Sequence, residues 1–438
     1  MRSLWSRWNF PATALVLASV SIMMAGCGNH SSPGQTAPRA FEGESITLII
    51  ANHPWGEAMK PLLPEFEEAT GLKVNVQGFF EDQLTQKLTV QFTSGSGTPE
   101  VFMYRPLQEG KLFYNNGWLE PLDDYVHRDA DYDFADFSKQ AVGSATVKGK
   151  LTGIPIITEQ EVLYYRKDLL KQAGIAVPAT IEELVEAARK LNDPANGVYG
   201  FVARGQRSPL VTQVSSFLYS EGGDFTQGER ATLNTPEAIR AFTTYGTLLR
   251  NYGPPSSITM SWPQASAFFA AGKAALYTDA SSIYKNVLDP AQSKLAEQIG
   301  YAPFPAGSRG SVPYNITSWG LAMHPKAANK EAAWAFIRWA TSKEITLKIQ
   351  QKGNTAARLS VWERPDGTTG FPAELVSVIR KSSQGGVDHD RPTVVSVAEA
   401  RDTVGEIVHK IMAGEQRIQE TADQANQQLQ AILDKEAK

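Results

Sequence analysis

Glu159 and Asp279 are the acids whose setting most invites chemistry. Glu159 lies in a polar patch, Thr158-Glu159-Gln160-Glu161, that interrupts the stretch Gly153 to Gly174, and Asp279 comes directly after the strand-like run Ala274 to Thr278. Two carboxylates held about 5–9.5 Å apart across one bond could cleave a glycoside. Without turnover, the same groups accept hydrogen bonds from hydroxyls. Four of the nine tryptophans, Trp55, Trp262, Trp319 and Trp362, stand in or beside loop sequence. Flat apolar rings near Arg, Asp and Glu suit a ligand with weakly apolar C–H faces and a girdle of hydroxyls, because charged groups make bidentate bonds that reject analogues lacking them. A sugar or polyol fits that description, with ordinary core packing as the competing role for each ring.

Other chemistries find little support. The chain contains no GxSxG elbow, HExxH, P-loop or GxGxxG, the patterns that mark serine, zinc-hydrolase and nucleotide sites. None of the six histidines pairs with another at metal-ligand spacing. Asp388-His389-Asp390, next to Arg391, reads as a solvated turn rather than a metal grip. Asp129, Asp131 and Asp133 share the first spacings of a calcium loop, but Phe134 stands where that loop needs glycine and Gln140 where it needs glutamate. Tyr164 and Tyr165 point to opposite faces of a strand and cannot share an ion. No cofactor is expected.

The elements that must position these groups emerge from periodicity. Ile46 to Ile50 is a strand running into the loop Ala51-Asn52-His53-Pro54-Trp55-Gly56. Glu57 to Thr70 is helical, with a start near Pro61 because Pro61 and Pro64 cannot lie deep in a helix. Lys73 to Gln77 is a strand, Asp82 to Phe92 a helix and Pro99 to Tyr104 a strand. That β-α-β-α-β order predicts an α/β fold whose largely parallel sheet is flanked by helices. Ligands in such folds bind beyond the carboxyl ends of the strands, which singles out His53, Trp55, Phe79, Tyr104 and Arg105. Val162 to Tyr165 begins a second unit, reaching about Gln298. It holds helices at Thr180 to Leu191, Leu210 to Glu221, Pro236 to Tyr252 and Trp262 to Ala271. Its strand Tyr199 to Ala203 leads to Arg204, and Asp224 closes the turn after the second of those helices. Ile299 to Pro305 is an extended return, Trp319 to Met323 a strand and Asn329 to Ser342 a helix. Past Gly353 and Arg358 two helices finish the chain, the last with a core-facing stripe of Ile418, Ala422, Ala425, Leu429 and Ile432.

The first residues read as an export signal. Arg2 and Arg7 precede a largely apolar, uncharged run, Ala14 to Ala25, that is too short for a confident membrane span. Cys27 is the only cysteine in 438 residues, so neither an internal disulfide nor a thiolate metal cluster can form. Removal of residues 1–26 takes away Arg2 and Arg7 and no acid, changing the formal charge from −4 to −6. Nucleic acid is therefore not an expected partner. Residues 27–43 read as a flexible tether, and the chain beyond residue 43 is long enough for two lobes.

The segment ending at Cys27 resembles a bacterial lipobox, with Met24 where leucine is usual. The mature chain resembles the extracellular solute-binding proteins of bacterial ABC importers for sugars, oligosaccharides and polyols. The motifs carrying this are VLYYRKDLLKQAG (Val162 to Gly174), GWLEPLD (Gly117 to Asp123) and SWGLAMHPKAANKEAAWAFIRWATSKE (Ser318 to Glu344), with NYGPP at Asn251 and YAPFPAG at Tyr301. The resemblance implies a two-lobed periplasmic-binding-protein fold with the ligand cleft between the lobes. Lobe 1 would comprise 44–157 and 302–352, and lobe 2 would comprise 158–301 and 353–438. By motif position it implies ligand contacts at Glu159, Asp279, Trp319 and Arg358, with Trp55, His53, Tyr104, Arg105, Arg204, Asp224 and Trp262 as further candidates. It also implies a monomer anchored by acylated Cys27 in the cell envelope, periplasmic or on the outer face of the cytoplasmic membrane, with ABC permease subunits as partners. A secreted carbohydrate hydrolase using Glu159 and Asp279, and a sugar-binding module feeding a sensor, are the alternatives.

Overall fold

The computed structural model describes residues 39–436 except 292 and 294. The export signal, Cys27 and most of the tether lie outside the described residues. The principal strands are β1 (Ser45–Ala51), β2 (Lys73–Phe79), β3 (Val101–Tyr104), β4 (Ile154–Arg166), β5 (Tyr199–Val202), β6 (Ala274–Ala280), β7 (Ile299–Pro303) and β8 (Asn315–Met323). They form one mixed sheet in the order β2-β1-β3-β8-β4-β6-β5, with β7 also paired to β4. β1 runs parallel to β2 and β3, and β5 parallel to β6. β4 and β8 run antiparallel to their neighbours.

β4 and β8 tie the molecule together. The first half of the 13-residue β4 pairs with β8, and the second half pairs with β6 and β7. The hydrophobic packing changes hands along the same strands. Ile154, Ile156 and Ile157 belong to a core with Leu48, Ile50, Phe66, Phe102, Leu321 and Phe336. Val162, Leu163 and Tyr164 alternate between two further clusters on opposite faces of the second lobe's sheet, as a period of two requires. Each such side chain contributes roughly 1.5–3 kcal/mol on burial. Between the cores the strands become polar: Thr158, Gln160, Glu161, Asn315 and Thr317 are buried. Gln160 Nε2 donates to Asn315 Oδ1 at 3.1 Å, and Thr317 Oγ1 to Ala141 O at 2.8 Å. Along these two strands the polar waist separates the first core from the other two clusters.

The helices explain several differences from the expected boundaries. The single helix expected at Glu57 to Thr70 is Pro54–Met59, a 3₁₀ turn at Lys60–Leu62, then Leu63–Thr70. Pro61 and Pro64 are each held in the first turn of a new segment, where no N–H is needed. Past Gly353 there are four helices, not two: Leu359–Glu363, Ala373–Ser382, Val397–Ala413 and Ile418–Glu436. The last one turns Ala422, Ala425, Leu429 and Ile432 into the second core, as its stripe predicts. Ala302, Phe304, Tyr314 and Ile316 also pack there, and Ala357 packs in the first core. β7 holds residues 299–303 against the second half of β4.

Candidate functional site

A cavity of about 470 Å³ lies between the two cores, beyond the carboxyl ends of β1, β3, β5 and β6. From β1 it receives Asn52 and His53. His53 caps the helix Pro54–Met59, its Nδ1 accepting the Trp55 N–H at 3.1 Å. Burial lowers its pKa to about 4, so the ring is neutral at pH 7 and Nε2 carries the proton. The capping that aims His53 at the cavity turns Trp55 into the first core.

β3 delivers Arg105. Glu109, one turn on in the short π-helix Pro106–Gly110, takes the Arg105 N–H at 2.8 Å and Nε at 3.0 Å. Thr85 and Glu81 take Nη2 and Nη1 at 3.0 and 3.2 Å. The fixed guanidinium stands 5.6 Å from the ring of Trp319, and His53 lies tilted against the same ring at 5.8 Å.

Across the gap Arg204, just after β5, bonds Asp279 through both Nε (3.0 Å) and Nη2. Asp279 is fully buried behind it, also accepting from Gln213 Nε2 at 3.1 Å, Tyr277 OH at 2.8 Å and the Ala280 amide at 2.7 Å. Burial opposes the charge on Arg204, but the Asp279 carboxylate outweighs it and holds the guanidinium above its usual value. Glu159 faces the cavity from β4, its Oε1 accepting from Ser282 Oγ at 2.7 Å. Burial raises its pKa, partly offset by Ser282 and Arg204.

The Asp388-His389-Asp390 segment is not the solvated turn expected from its sequence. Asp390 is fully buried at the cavity wall, bound by Arg391 through Nε and Nη2 at 2.6 Å each and by Thr212 Oγ1 at 2.7 Å. Burial alone would raise this carboxyl, but Arg391 and Arg401 hold it well below the ordinary carboxylate value. Arg391 Nη1 reaches across to Gln108 Oε1 at 2.9 Å, joining the two lobes. No group of three or more His, Cys, Asp or Glu suited to a metal occurs among the described residues.

Of the expected ligand contacts, Glu159, Trp319, His53, Arg105, Arg204 and Trp262 meet at this cavity. Asp279 stands one layer behind it. Arg358 is buried in the first lobe, donating to the carbonyls of Tyr132, Asp133 and Thr341 at 2.7–2.9 Å, with Tyr132 and Phe137 against its guanidinium. Tyr104 is in the first core with its hydroxyl 3.0 Å from Thr152 Oγ1, and Asp224 pairs with His389 at 3.1 Å away from the cavity. Asn354, Thr355, Asp390, Arg391 and Arg401 also line the cavity, although sequence reasoning does not single them out. Arg401 leaves a trace in the sequence, as a charge on the apolar stripe Val397, Ala400, Val404 and Val408.

Residues 51–346 match the family described as bacterial extracellular solute-binding protein. The chain belongs to that family. Among its relatives, the erythritol/L-threitol-binding protein of Mycolicibacterium smegmatis is 28% identical over 338 residues, covering 72% of this chain and 70% of the relative. The mannitol-binding protein of Pseudomonas aeruginosa is 30% identical over 306 residues, covering 68% and 69%. The crystal structure of an ABC transporter solute-binding protein from Agrobacterium radiobacter K84 in complex with ribitol matches with a TM-score of 0.77 at 31% identity, covering 90% of this chain and all of that one. The expected family and two-lobed fold are thus those of the solute-binding protein and its relatives, which are binding proteins rather than enzymes, and the family is an exported one. No helix among the described residues is long and apolar enough to cross a membrane. The glycan-cleaving alternative also loses its geometry, since both oxygens of Asp279 are committed to protein donors behind the cavity wall.

Proposed function

We propose that this solute-binding protein captures a small acyclic polyol in the interlobe cavity, without catalysis, and delivers it to the permease of an ABC importer. The observation that carries this reading is the makeup of the wall. Forked polar groups already fixed by the protein (Glu159, Arg204, Arg391) dominate it, while Arg105 and His53 are packed against the ring of Trp319. Fixed forks suit vicinal hydroxyls and hold them at little entropic cost. With the Trp319 ring covered by Arg105 and His53, Trp262 is left as the exposed tryptophan on the wall, which suits an open-chain polyol better than a pyranose needing stacked platforms. The relatives' ligands, erythritol or threitol, mannitol and ribitol, are of that kind.

In this reading Glu159, Arg204, His53, Arg105, Trp319 and Trp262 touch the solute, and Asn354 joins them. Asp279 positions Arg204, while Arg358 is framework. The first lobe is 44–157 with 319–357, the second 162–316 with 362–436, and the residues between form the hinge. The protein acts as a monomer held to the envelope by a lipid on Cys27.

The test is thermal denaturation against erythritol, ribitol, mannitol, glucose and maltose, with chromatography of the mixture afterwards. At 100 times Kd a bound solute stabilises by about 2.7 kcal/mol, so at least one polyol should raise Tm measurably and return unaltered. A protein whose Tm no polyol moves, or one that converts a member of the panel to product, contradicts the proposal.

A further inference from the structure

Arg401 is a buried cation on the cavity wall that lacks a carboxylate of its own. It is 9% exposed, and its Nε and Nη2 donate to Ser208 O and Thr212 Oγ1 at 3.0 and 3.1 Å. Thr212 in turn gives its proton to Asp390, and Asp390 is already held bidentately by Arg391. Two guanidiniums therefore share one carboxylate where Arg391 meets Gln108 of the other lobe. The cavity's other arginines are matched, Arg204 by Asp279 and Arg105 by Glu109 and Glu81. Glu159, a half-buried acid on the wall, is engaged by Ser282 and pushed by desolvation toward its neutral form.

An uncompensated buried charge destabilises the protein that carries it. Burial, and then repulsion from Arg391, work against the charged form of Arg401; Asp390 offsets only part of this, and Arg204 and Arg105 add to it. Such a group is relieved when an anion enters beside it, and guanidiniums form their strongest hydrogen bonds with carboxylate and phosphate.

We propose that the polyol this cavity takes carries one anionic group, a carboxylate or a phosphate ester, bound by Arg401 and Arg391 with the Thr212 hydroxyl beside them. This rests on the polyol reading above and narrows it to polyol acids or polyol phosphates.

Calorimetric titration of the whole mature protein with matched ligands tests it: erythritol, ribitol and mannitol against erythronate, ribonate, mannonate and ribitol 5-phosphate. The expected result is that an anionic member binds at least about 10-fold tighter than its neutral counterpart, the scale of one charge-assisted hydrogen bond. The carboxylate and phosphate arms identify which anion is meant. Arg401→Met should erase that preference, and Arg401→Lys, which keeps the charge, should retain part of it. Neutral polyols binding as tightly as every anionic partner overturn the inference and leave the polyol reading standing. Binding of no member overturns both. A preference that survives in folded Arg401→Met overturns the assignment to Arg401. If that variant does not fold, the wild-type comparison and Arg401→Lys still decide.

Discussion

Replacing Asp279 with Asn tests whether this acid acts on the solute directly or through Arg204. Its carboxylate accepts five hydrogen bonds: two from Arg204 and one each from Gln213, Tyr277 and the Ala280 amide. The amide keeps one oxygen acceptor and adds an NH₂ that must face donors, leaving Arg204 buried and without its counter-charge. Breaking one partner of a buried ion pair costs about 3–5 kcal/mol. With Arg204 slightly open to the cavity, the lower end of that range is expected. Urea denaturation should therefore lose about 3 kcal/mol, and calorimetry with the preferred solute should lose at least tenfold in affinity, because an unanchored Arg204 must be ordered again on binding. The double variant with Arg204→Gln should recover part of the stability, with a coupling energy above about 1 kcal/mol. A stable Asp279→Asn protein with unchanged affinity would rule out a role for Asp279 in anchoring Arg204.

Three further outcomes are expected. Arg358→Met, in a side chain bonded to three lobe-1 carbonyls, should cost about 3 kcal/mol of stability yet leave solute affinity within about twofold, as paired denaturation and calorimetry would register. Glu161 is buried with no hydrogen-bond partner for either oxygen, Ser216 and Thr278 standing beside it out of bonding geometry, and burial raises its pKa well above 4.5. The folded protein then keeps a proton that the unfolded chain loses above about pH 4.5, so wild-type stability falls as pH rises through the range above that value. Glu161→Gln should be progressively the more stable protein in melts run from pH 4 to pH 8. His389 is clasped by Asp224 and Asp388; burial opposes its charge, but the two acids raise its pKa from 6.5 to about 9. Its charged form stabilises the fold fully below pH 6.5, and that stability, on the order of 2–3 kcal/mol at most, disappears as pH rises through 9. An NMR titration of its ring, and the flatter pH dependence of His389→Gln, would show this.

The fold is legible in the sequence because its signals are local. Alternating strands and helices, the Thr180–Glu183 capping box and the stop at Gly174 each recur in the structure. The cavity is half legible, because strand ends locate loops but do not say which way side chains turn. His53 and Trp55 share one loop, and a single capping bond sends the first to the cavity and the second to the core. Asp279 is at the right strand end but is consumed by Arg204, and the motif position of Arg358 hides a side chain that turns away from the cavity to the carbonyls of Tyr132, Asp133 and Thr341. Asp390 and Arg391 escape a sequence reading because Asp388-His389-Asp390 looks like a polar turn, while the burial of Asp390 depends on Thr212, 178 residues away in sequence.

Whether one solute sits between the lobes is tested most directly by a crystal structure grown with the polyol that most raises Tm. Electron density is expected in the 470 Å³ cavity, with solute hydroxyls within hydrogen-bond distance of Glu159 and Arg204 and its carbon chain over the edge of Trp319. Density for the solute elsewhere, for example in the smaller wedge lined by Lys111, Lys148 and His389, with this cavity holding water alone, would contradict an interlobe site.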